Sequence, residues 1–347
     1  MAGQDRTRGN APGGRERKPT MADVARHVGV SRALVSIVFR GAEGASEATR
    51  QRVLEGAAAL GYRRDSLARG LRSNRTRNLG ILFDLRRPFE VEFVEHTYPA
   101  VEKYGYHLLL GAVTPHRNQA RVVEELLTYR CEGLIVLGPE PDGDRLESIA
   151  DEVPLVEVGR GVTPGRVDVV RNDDALGTRQ AVDHLVHLGH RAIAHIDGGT
   201  NPGARDRRAG YREAMTDHGL AHEIRVVAGG YTDEAGATAA RQLLAEGLPT
   251  AVITANDQAV IGLLDVAVRA GLRIPEDLSV IGYDDSRFLR LPGIDLTSVR
   301  QDIPAMAELA VQAAVERIEL PETEPRSVAL PPQLVVRNTT KTPKNAE

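Results

Sequence analysis

The sequence predicts an α/β protein with a small helix-turn-helix headpiece at its N-terminus and a larger, two-lobed α/β domain behind it. Helical patterns with capping residues fill residues 20 to 62. From residue 79 onward, short apolar runs alternate with helical patterns, and this alternation restarts near residue 191. The N-terminal part is basic, whereas the remainder is acidic. These observations separate a region suited to a polyanion from a larger ligand-binding or enzymatic body.

The first two predicted helices are short and joined by a tight turn. Thr20 can cap the first helix, whose third residue, Asp23, gives a capping-box pattern. Gly29 can adopt a positive φ at the corner, and Ser31 can cap a second helix from Arg32 to about residue 39. Two short helices with this connection predict a helix-turn-helix.

A third helix and a basic segment follow the pair. Ser46 caps an amphipathic helix that stops at Gly61. The segment after Tyr62 has a short helical pattern, and Gly70 inside it makes that helix unstable on its own. We expect this hinge segment to become helical when DNA is bound, or else to act only as a linker.

The body shows two successive series of buried strands. The first series reads L-G-I-L-F, H-L-L-L-G, G-L-I-V-L and P-L-V-E-V, and helical patterns at 90–104, 118–129 and 143–150 separate its members. The second series reads R-A-I-A-H-I, R-V-V-A, A-V-I-T and L-S-V-I-G-Y. Such alternation predicts parallel, doubly wound sheets.

Composition limits the class of protein. The chain of 347 residues is long enough for two or three domains, and its single cysteine, Cys131, excludes an intramolecular disulfide and suits a reducing cytosol. No apolar run approaches the ~20 residues that a membrane span needs. We expect a cytoplasmic protein near the nucleoid, with a disordered basic tail at 1–18, the headpiece at 19–62, the hinge at 63–78, the two-lobed domain at 79–338 and a flexible tail at 339–347.

Charge divides the chain sharply. Residues 1–77 contain 16 Lys and Arg against 7 Asp and Glu, and the remaining residues contain 28 against 41. A basic head on an acidic body indicates that only the head approaches a polyanion.

These motifs resemble the headpiece and hinge of LacI/GalR-type transcriptional repressors. The residues that carry the resemblance are D-V-A-x-x-x-G-V-S, S-E-A-T-R-x-x-V, L-G-Y-R and L-A-R-x-L, and a looser similarity extends to about Asn338. The resemblance implies a body of the type-I periplasmic-binding-protein fold with a ligand in the cleft between its lobes. It also implies a homodimer on an approximately palindromic operator.

The start of the second helix should read DNA. A recognition helix presents its N-terminal side chains to base edges in the major groove, where Arg32 can contact guanine bidentately. Thr49 and Arg50 suit phosphate contacts. The alternative is that Ser31 is only a cap and Arg32 only a solvated charge. The predicted DNA-contacting residues are Thr20, Ser31, Arg32, Ala33, Ser36, Arg40, Thr49, Arg50, Ala68 and Leu71.

The hinge and the second helix depart from the family pattern. The resemblance implies that two hinge helices pair in the minor groove and that Leu71 inserts between base pairs. The family usually has Pro-Asn where this chain has Arg64 and Asp65, and Ile37 and Arg40 also differ from usual family residues. Because of these changes, the base sequence of the operator half-site cannot be taken from the family.

Polar residues that follow strands are the candidates for the effector site, because doubly wound sheets bind ligands at the carboxyl ends of their strands. Asn256 and Asp284 follow strands and match family ligand positions, although a helix cap or a turn is the alternative for each. The resemblance also assigns Arg207 and Asp173 to the cleft. Phe89 is either a ring that stacks on the ligand or an ordinary core aromatic. The set suits a sugar, while a nucleobase remains open.

Other functional classes have weaker support. His184, His187 and His190 lie at the end of a helix in a pattern typical of the family, so we expect no metal, and no dinucleotide motif predicts a cofactor. No acid/base pair or nucleophile system predicts an enzyme. A ligand-responsive repressor is therefore the main prediction. A cytosolic sensor whose DNA head no longer functions is the alternative.

Overall fold

The computed structural model describes residues 19–62, 75–139, 143–161, 165 and 167–344. The chain divides into two compact units, one ending at Thr76 and the other beginning at Arg77. The predicted N-terminal tail and most of the predicted hinge, including Ala68 and Leu71, lie outside the described residues.

The headpiece consists of three helices: α1 (Met21–Val28), α2 (Arg32–Arg40) and α3 (Glu47–Ala59). Thr20 and Asp23 form the predicted capping box, in which the Thr20 amide donates to Asp23 Oδ2 at 2.8 Å. The hydroxyl of Ser31 accepts from the Leu34 amide at 3.1 Å, and Gly29 has a φ of 75° at the corner. The predicted helix-turn-helix is therefore present.

A small apolar core holds the three helices together. Its buried members are Val24, Ala25, Val35, Val38, Val53 and Ala57. Gly56 allows α1 and α3 to approach closely, because a Cβ atom at this position would lie 2.3 Å from Cγ2 of Val28. The rings of Phe39 and Tyr62 pack at 5.5 Å between centroids, next to this core.

The first half of the body alternates strands and helices as predicted. Its elements are β1 (Asn78–Asp84), α4 (Pro88–Lys103), β2 (His107–Val113), α5 (Gln119–Thr128), β3 (Gly133–Leu137), α6 (Gly143–Glu152), β4 (Leu155–Val158) and β5 (Asp168–Asn172). Cys131 is buried between α5 and β3, and burial raises the pKa of its thiol to about 12.

The second half repeats the pattern. Its elements are α7 (Asp174–His187), β6 (Ile193–Ile196), α8 (Ala204–Asp217), β7 (Arg225–Val227), α9 (Asp233–Glu246), β8 (Ala251–Thr254), α10 (Asp257–Arg269), β9 (Ser279–Asp284) and β10 (Thr297–Arg300). The chain then forms α11 (Ile303–Glu319), β11 (Ser327–Leu330) and β12 (Gln333–Val335).

Two six-stranded sheets define two lobes. The first-lobe sheet has the order β11-β5-β4-β3-β1-β2 and is parallel throughout. The second-lobe sheet has the order β12-β10-β9-β8-β6-β7, in which only the β10–β12 pair is antiparallel. The chain crosses between the lobes after β5, after β10 and after β11, so neither lobe is one continuous stretch of sequence.

Because of these crossovers, the last helix packs in the lobe opposite to the strand that precedes it. Helix α11 follows a second-lobe strand, yet its buried side chains Met306, Ala310 and Ala314 belong to the first-lobe core together with Phe93 of α4. The predicted fold class is confirmed, but β5, α11 and the last three strands were not predicted from the sequence.

The C-terminal segment differs from its prediction. Residues 339–344 are bound to the second lobe, although the sequence analysis assigned 339–347 to a flexible tail. Thr339 is buried, and its hydroxyl donates to the Val280 carbonyl at 2.7 Å. The carbonyl of Lys341 contacts Nε2 of His190 at 2.8 Å. The ordered structure of this segment was not apparent from its polar sequence, because threonine hydroxyls and backbone groups, rather than apolar side chains, bind it to the lobe.

Helices α9 and α10 pack with their backbones almost in contact, and this yields a stability prediction. A Cβ atom at Gly262 would lie 1.8 Å from the Asp233 carbonyl oxygen. We expect Gly262→Ala to lower the free energy of unfolding by about 2–3 kcal/mol, because backbone atoms must move apart. Gly293→Ala is the control, since nothing lies within 4 Å of a Cβ there. Equal denaturant midpoints for the two variants would contradict this packing.

Candidate functional site

A cavity lies between the lobes, at the carboxyl ends of their strands. The first lobe lines it with Arg87, Pro88, Phe89, Glu90, Leu137, Gly138, Val158, Gly159 and Asn172. The second lobe contributes Asp174, Pro202, Arg207, Tyr231, Asn256, Asp284 and Gln301.

The guanidinium of Arg207 is the central charge of the cavity. It is 4% exposed, its Nε donates to Asp174 Oδ1 at 2.9 Å, and its Nη1 donates to the Ala255 carbonyl. It also lies 3.6 Å above the ring centroid of Tyr283. Burial alone would lower the pKa of Arg207, but the carboxylates of Asp174 and Asp284 help to raise it well above its ordinary value.

Asp284 ends β9 and lies beside Arg207 in the cavity. Its Oδ1 accepts from Gln301 Nε2 at 2.7 Å and lies 3.9 Å from Arg207 Nη1. Burial raises the pKa of Asp284 to about 6, although Arg207 and the Gln301 hydrogen bond oppose that rise. The φ of Asp284 is 105°, a strained conformation for a residue other than glycine and one that is common at functional sites.

Two asparagine side chains present amide groups to the cavity. Asn256 caps α10, because its Oδ1 accepts from the Ala259 amide at 3.0 Å. Asn172 ends β5, and its Nδ2 donates to the Tyr283 hydroxyl at 2.7 Å. The Oδ1 atom of Asn172 is buried and has no hydrogen-bond partner among the described residues.

One loop of the second lobe, residues 198–203, bridges to the first lobe. Arg87 Nη2 donates to Asn201 Oδ1 at 3.1 Å, and both terminal nitrogens of Arg160 donate to the Thr200 carbonyl at 3.1 Å. Pro202 fits over Gly138, where a Cβ atom would lie 3.1 Å from Cγ of the proline. This loop, which we call the clasp, holds the lobes together at the edge of the cavity.

Glu90 is the third carboxylate of the cavity. It is 3% exposed, its Oε2 accepts from the Asp84 amide at 2.7 Å, and its Oε1 accepts from Arg87 Nη1 at 2.9 Å. Burial raises the pKa of Glu90 to about 7, although Arg87 and the Asp84 amide oppose that rise. Arg87 is thus bound on one side to its own helix and on the other to the clasp.

The predicted effector residues lie in different places. Phe89, Arg207, Asn256 and Asp284 line one cavity. Asp173 caps α7 by accepting from the Leu176 amide at 3.0 Å, and its neighbour Asp174 is the residue that lines the cavity.

Sequence reasoning missed several lining residues, namely Asn172, Asp174, Tyr231 and Gln301. Three of them follow or end the strands β5 and β10, or open the helix after β5, and these strands were not identified. The rule that led to Asn256 would have found Asn172 and Gln301 once those strands were known.

The headpiece exposes the start of α2. Ser31, Arg32 and Ala33 are exposed, and the Ser31 side chain is also the helix cap. Ser36 is half-buried on α2. Thr20 belongs to the capping box of α1. Arg40 ends α2, and its side chain lies outside the described part of the structure.

The two predicted phosphate contacts on α3 have partners within the headpiece. Arg50 donates to the Val38 carbonyl at 3.2 Å and to the Ala42 carbonyl at 3.1 Å, so it binds the C-terminal end of α2. The Thr49 hydroxyl lies 2.9 Å from that of Ser46. A basic group at the end of a helix is favoured by the helix dipole, and Arg50 fixes α2 against α3.

Comparison with known proteins identifies both parts of the chain. Residues 20–65 match the model of the bacterial regulatory proteins of the lacI family, and residues 182–340 match a periplasmic-binding-protein-like domain. The ribose operon repressor of Escherichia coli (strain K12) is 33% identical over 325 residues, which cover 92% of this chain and 98% of the repressor. The chain belongs to the LacI family.

Solved structures of LacI-family proteins extend over nearly the whole chain. The lac repressor dimer bound to operator and an anti-inducer has a TM-score of 0.80 and 28% identity, covering 94% of this chain and 100% of that one. The complex of the regulator CelR with cellobiose has a TM-score of 0.68 and 30% identity, covering 92% and 99%. These relatives are transcriptional regulators, not enzymes. This LacI-family chain is likewise a DNA-binding transcriptional regulator.

Two further features complete the description. No helix in the described ranges is long and apolar enough to cross a membrane. Among the same residues, no group of three or more His, Cys, Asp or Glu is placed to hold a metal ion. His184 and His190 instead contact the C-terminal segment through Thr340 and Lys341.

The raised pKa of Glu90 predicts a pH dependence of stability. The folded protein holds the Glu90 proton more tightly than the unfolded chain, so this contribution is complete below pH 4.5 and is lost as the pH rises to about 7. A change of this size corresponds to about 3 kcal/mol. We expect Glu90→Gln to gain stability relative to the wild type by that amount between pH 4.5 and 7.5, measured by urea unfolding.

The matched control for this measurement is Glu95→Gln, an exposed position on the same helix. Its curve of stability against pH should run parallel to that of the wild type. A Glu90→Gln curve that also runs parallel would mean that Glu90 is ionised in the folded protein.

Proposed function

We propose that this protein is a repressor that leaves or engages its operator when a small molecule, a sugar, binds between its lobes. The observation that carries the proposal is the exposed start of α2 in a basic headpiece, joined to a body whose two lobes enclose a cavity with carboxylate, amide and guanidinium groups in its lining. The lac repressor dimer bound to operator and the CelR complex with cellobiose support the two halves of this proposal. Such a protein works in the cytoplasm, beside the chromosome.

The proposed roles follow from chemistry. Ser31, Arg32, Ala33 and Ser36 face the major groove, with Thr20, Arg40 and Thr49 near the phosphates. Arg50 serves DNA binding indirectly, because its guanidinium is bound to the end of α2. Ala68 and Leu71 belong to the hinge that orders on DNA. We keep the proposed headpiece at 19–62 and the hinge at 63–78, and we assign no catalytic role.

In the effector site, we propose ligand contacts for Arg207, Asn256 and Asp284, with Phe89 against an apolar face of the ligand. Asp174 replaces Asp173 in this role, because its carboxylate lines the cavity and binds Arg207. Hydroxyl groups both donate and accept, and this mixture of carboxylate, amide and guanidinium can satisfy both functions.

The proposed assembly is a homodimer. Several apolar side chains of the second lobe are exposed, namely Ile261, Val268, Phe288 and Leu291. Ile261 and Val268 lie seven residues apart on α10 and therefore share one face of that helix. Exposed apolar groups of this kind favour a protein partner, and a second copy fits an approximately palindromic site.

The first test is DNA binding. Selection from random-sequence DNA should recover an approximately palindromic site whose affinity falls steeply with salt. We expect Arg32→Ala to weaken binding to that site by about 5- to 150-fold and to relax preference at one base pair per half-site. Arg121→Ala, at an exposed position on α5 of the first lobe, removes the same charge from the body and should leave affinity unchanged. Selection that fails even at low salt would favour a sensor without DNA function.

The second test concerns assembly. The 37.6 kDa chain should sediment as a dimer. Replacing both Ile261 and Val268 by Glu should produce monomers, since like charges would meet at the subunit contact. Operator affinity should also fall, because the two half-sites would then bind the headpieces of two independent monomers. A double variant that remains dimeric would exclude α10 from the subunit contact.

A further inference from the structure

Helix α2 carries an apolar side chain on the face opposite to the headpiece core. Val35 and Val38 are buried in that core, and Phe39 packs against it. Because an α-helix turns by about 100° per residue, Ile37 projects about 200° away from Val35. The exposed Ala33 lies one turn before Ile37 on the same side of the helix. The outward face of α2 is therefore apolar at these two positions.

The headpiece core does not account for Ile37. Over the described residues 19–62, neither the core cluster nor the apolar side chains packed against it include this residue. Ile37 is nevertheless half-buried, because the loop between α2 and α3 covers part of it. A Cβ atom at Gly44 in that loop would lie 3.9 Å from both Cγ2 and Cδ1 of Ile37. The loop supports the isoleucine from one side, and the rest of the side chain is exposed.

The position of Ile37 along α2 places it beyond the exposed start of the helix. Ile37 follows Arg32 by five residues, which is about 7.5 Å along the helix axis. Successive base pairs of DNA are about 3.4 Å apart. In a helix that lies in the major groove, the two side chains can therefore contact different base pairs of one half-site.

An apolar side chain is selective in the major groove. The base edges there present hydrogen-bond donors and acceptors, and their only apolar group is the C5 methyl of thymine. An isoleucine placed over guanine or cytosine would remove water from polar groups with which it cannot form hydrogen bonds, which is unfavourable. Placed over a thymine methyl, the same side chain buries apolar surface on both partners.

We propose that Ile37 reads a thymine in each operator half-site through contact with the C5 methyl group. This inference rests on the proposed binding of α2 in the major groove, and it adds a specificity-determining residue that is not among the predicted DNA contacts. Because Ile37 differs from the usual family residue, the preference belongs to this chain. The contact also extends to 5-methylcytosine, which carries its methyl group at the same place.

Uracil substitution tests the contact, because deoxyuridine keeps the hydrogen-bonding groups of thymidine and lacks only the methyl. The full-length protein is bound to the operator selected from random-sequence DNA, in which symmetric pairs of thymines are replaced by uracil, one pair at a time. Burial of one methyl group corresponds to about fourfold in affinity. Since both half-sites contribute, we expect one of these replacements to weaken binding about 15-fold.

Substitution of Ile37 should remove this discrimination. Ile37→Ala should bind the thymine operator about 15-fold more weakly than the wild type does, and should bind the uracil operator as well as it binds the thymine operator. Ile37→Val keeps a branched apolar side chain and should keep part of the preference. Leu54→Ala, at an apolar position of α3 that is 44% exposed, is the matched control and should discriminate as the wild type does. Circular dichroism checks that each variant is folded.

A second pair of operators separates the methyl group from the rest of the base. With cytosine or 5-methylcytosine at the position that Ile37 contacts, the wild type should prefer the methylated operator by about 15-fold. Ile37→Ala should bind the two operators equally.

Three outcomes would overturn the inference. In the first, no uracil replacement weakens binding by the wild type. In the second, Ile37→Ala weakens binding to the thymine and uracil operators by one common factor, so that Ile37 only supports the loop before α3. Both leave the proposed DNA binding intact, because an operator has been selected. If selection recovers no operator, the proposed DNA binding fails, and this inference fails with it.

Discussion

The buried guanidinium of Arg207 is the interaction on which the two-lobed body depends. A charge with 4% exposure is tolerable only because Asp174, the Ala255 carbonyl, the Tyr283 ring and Asp284 surround it. These partners come from α7 and from the ends of β8 and β9, whereas Arg207 itself lies on α8. One side chain therefore fixes the ends of strands and the starts of helices in the second lobe, and the cavity is shaped before any ligand enters.

In the headpiece too, contacts of arginine side chains hold the structure together, and only some of the basic residues are free to contact a ligand. Arg50 joins the end of α2 to α3, and Arg52 donates to the Val28 carbonyl at the end of α1 at 2.9 Å. Each helix end thus gains a basic partner where the dipole is negative. Arg32 has no such position, since it stands exposed at the opposite, N-terminal end of α2. Basic residues that look alike in sequence therefore differ in the structure: some are held by backbone carbonyls, whereas Arg32 is exposed and can contact DNA.

Sequence reasoning succeeded where one local pattern carried the information. Capping by Ser31, the corner at Gly29 and the buried runs of the body are local, so the headpiece helices and eight strands followed from them. It failed for β5, for β10 to β12 and for α11, whose alanine-rich face is buried in the other lobe. It also chose Asp173 over Asp174, because adjacent identical residues differ only in whether they cap a helix or meet Arg207, a residue 33 positions away.

The topology explains why the proposed switch needs two copies of the chain. The linker enters the body at Arg77, whose amide donates to Glu132 Oε1 of the first lobe at 2.9 Å. In a single subunit, a movement of the second lobe would leave that attachment unchanged. If two subunits contact through their second lobes, the same movement shifts the two first lobes relative to each other. We expect the clasp bonds of Arg87 and Arg160 to limit that movement and a bound ligand to act by changing their stability.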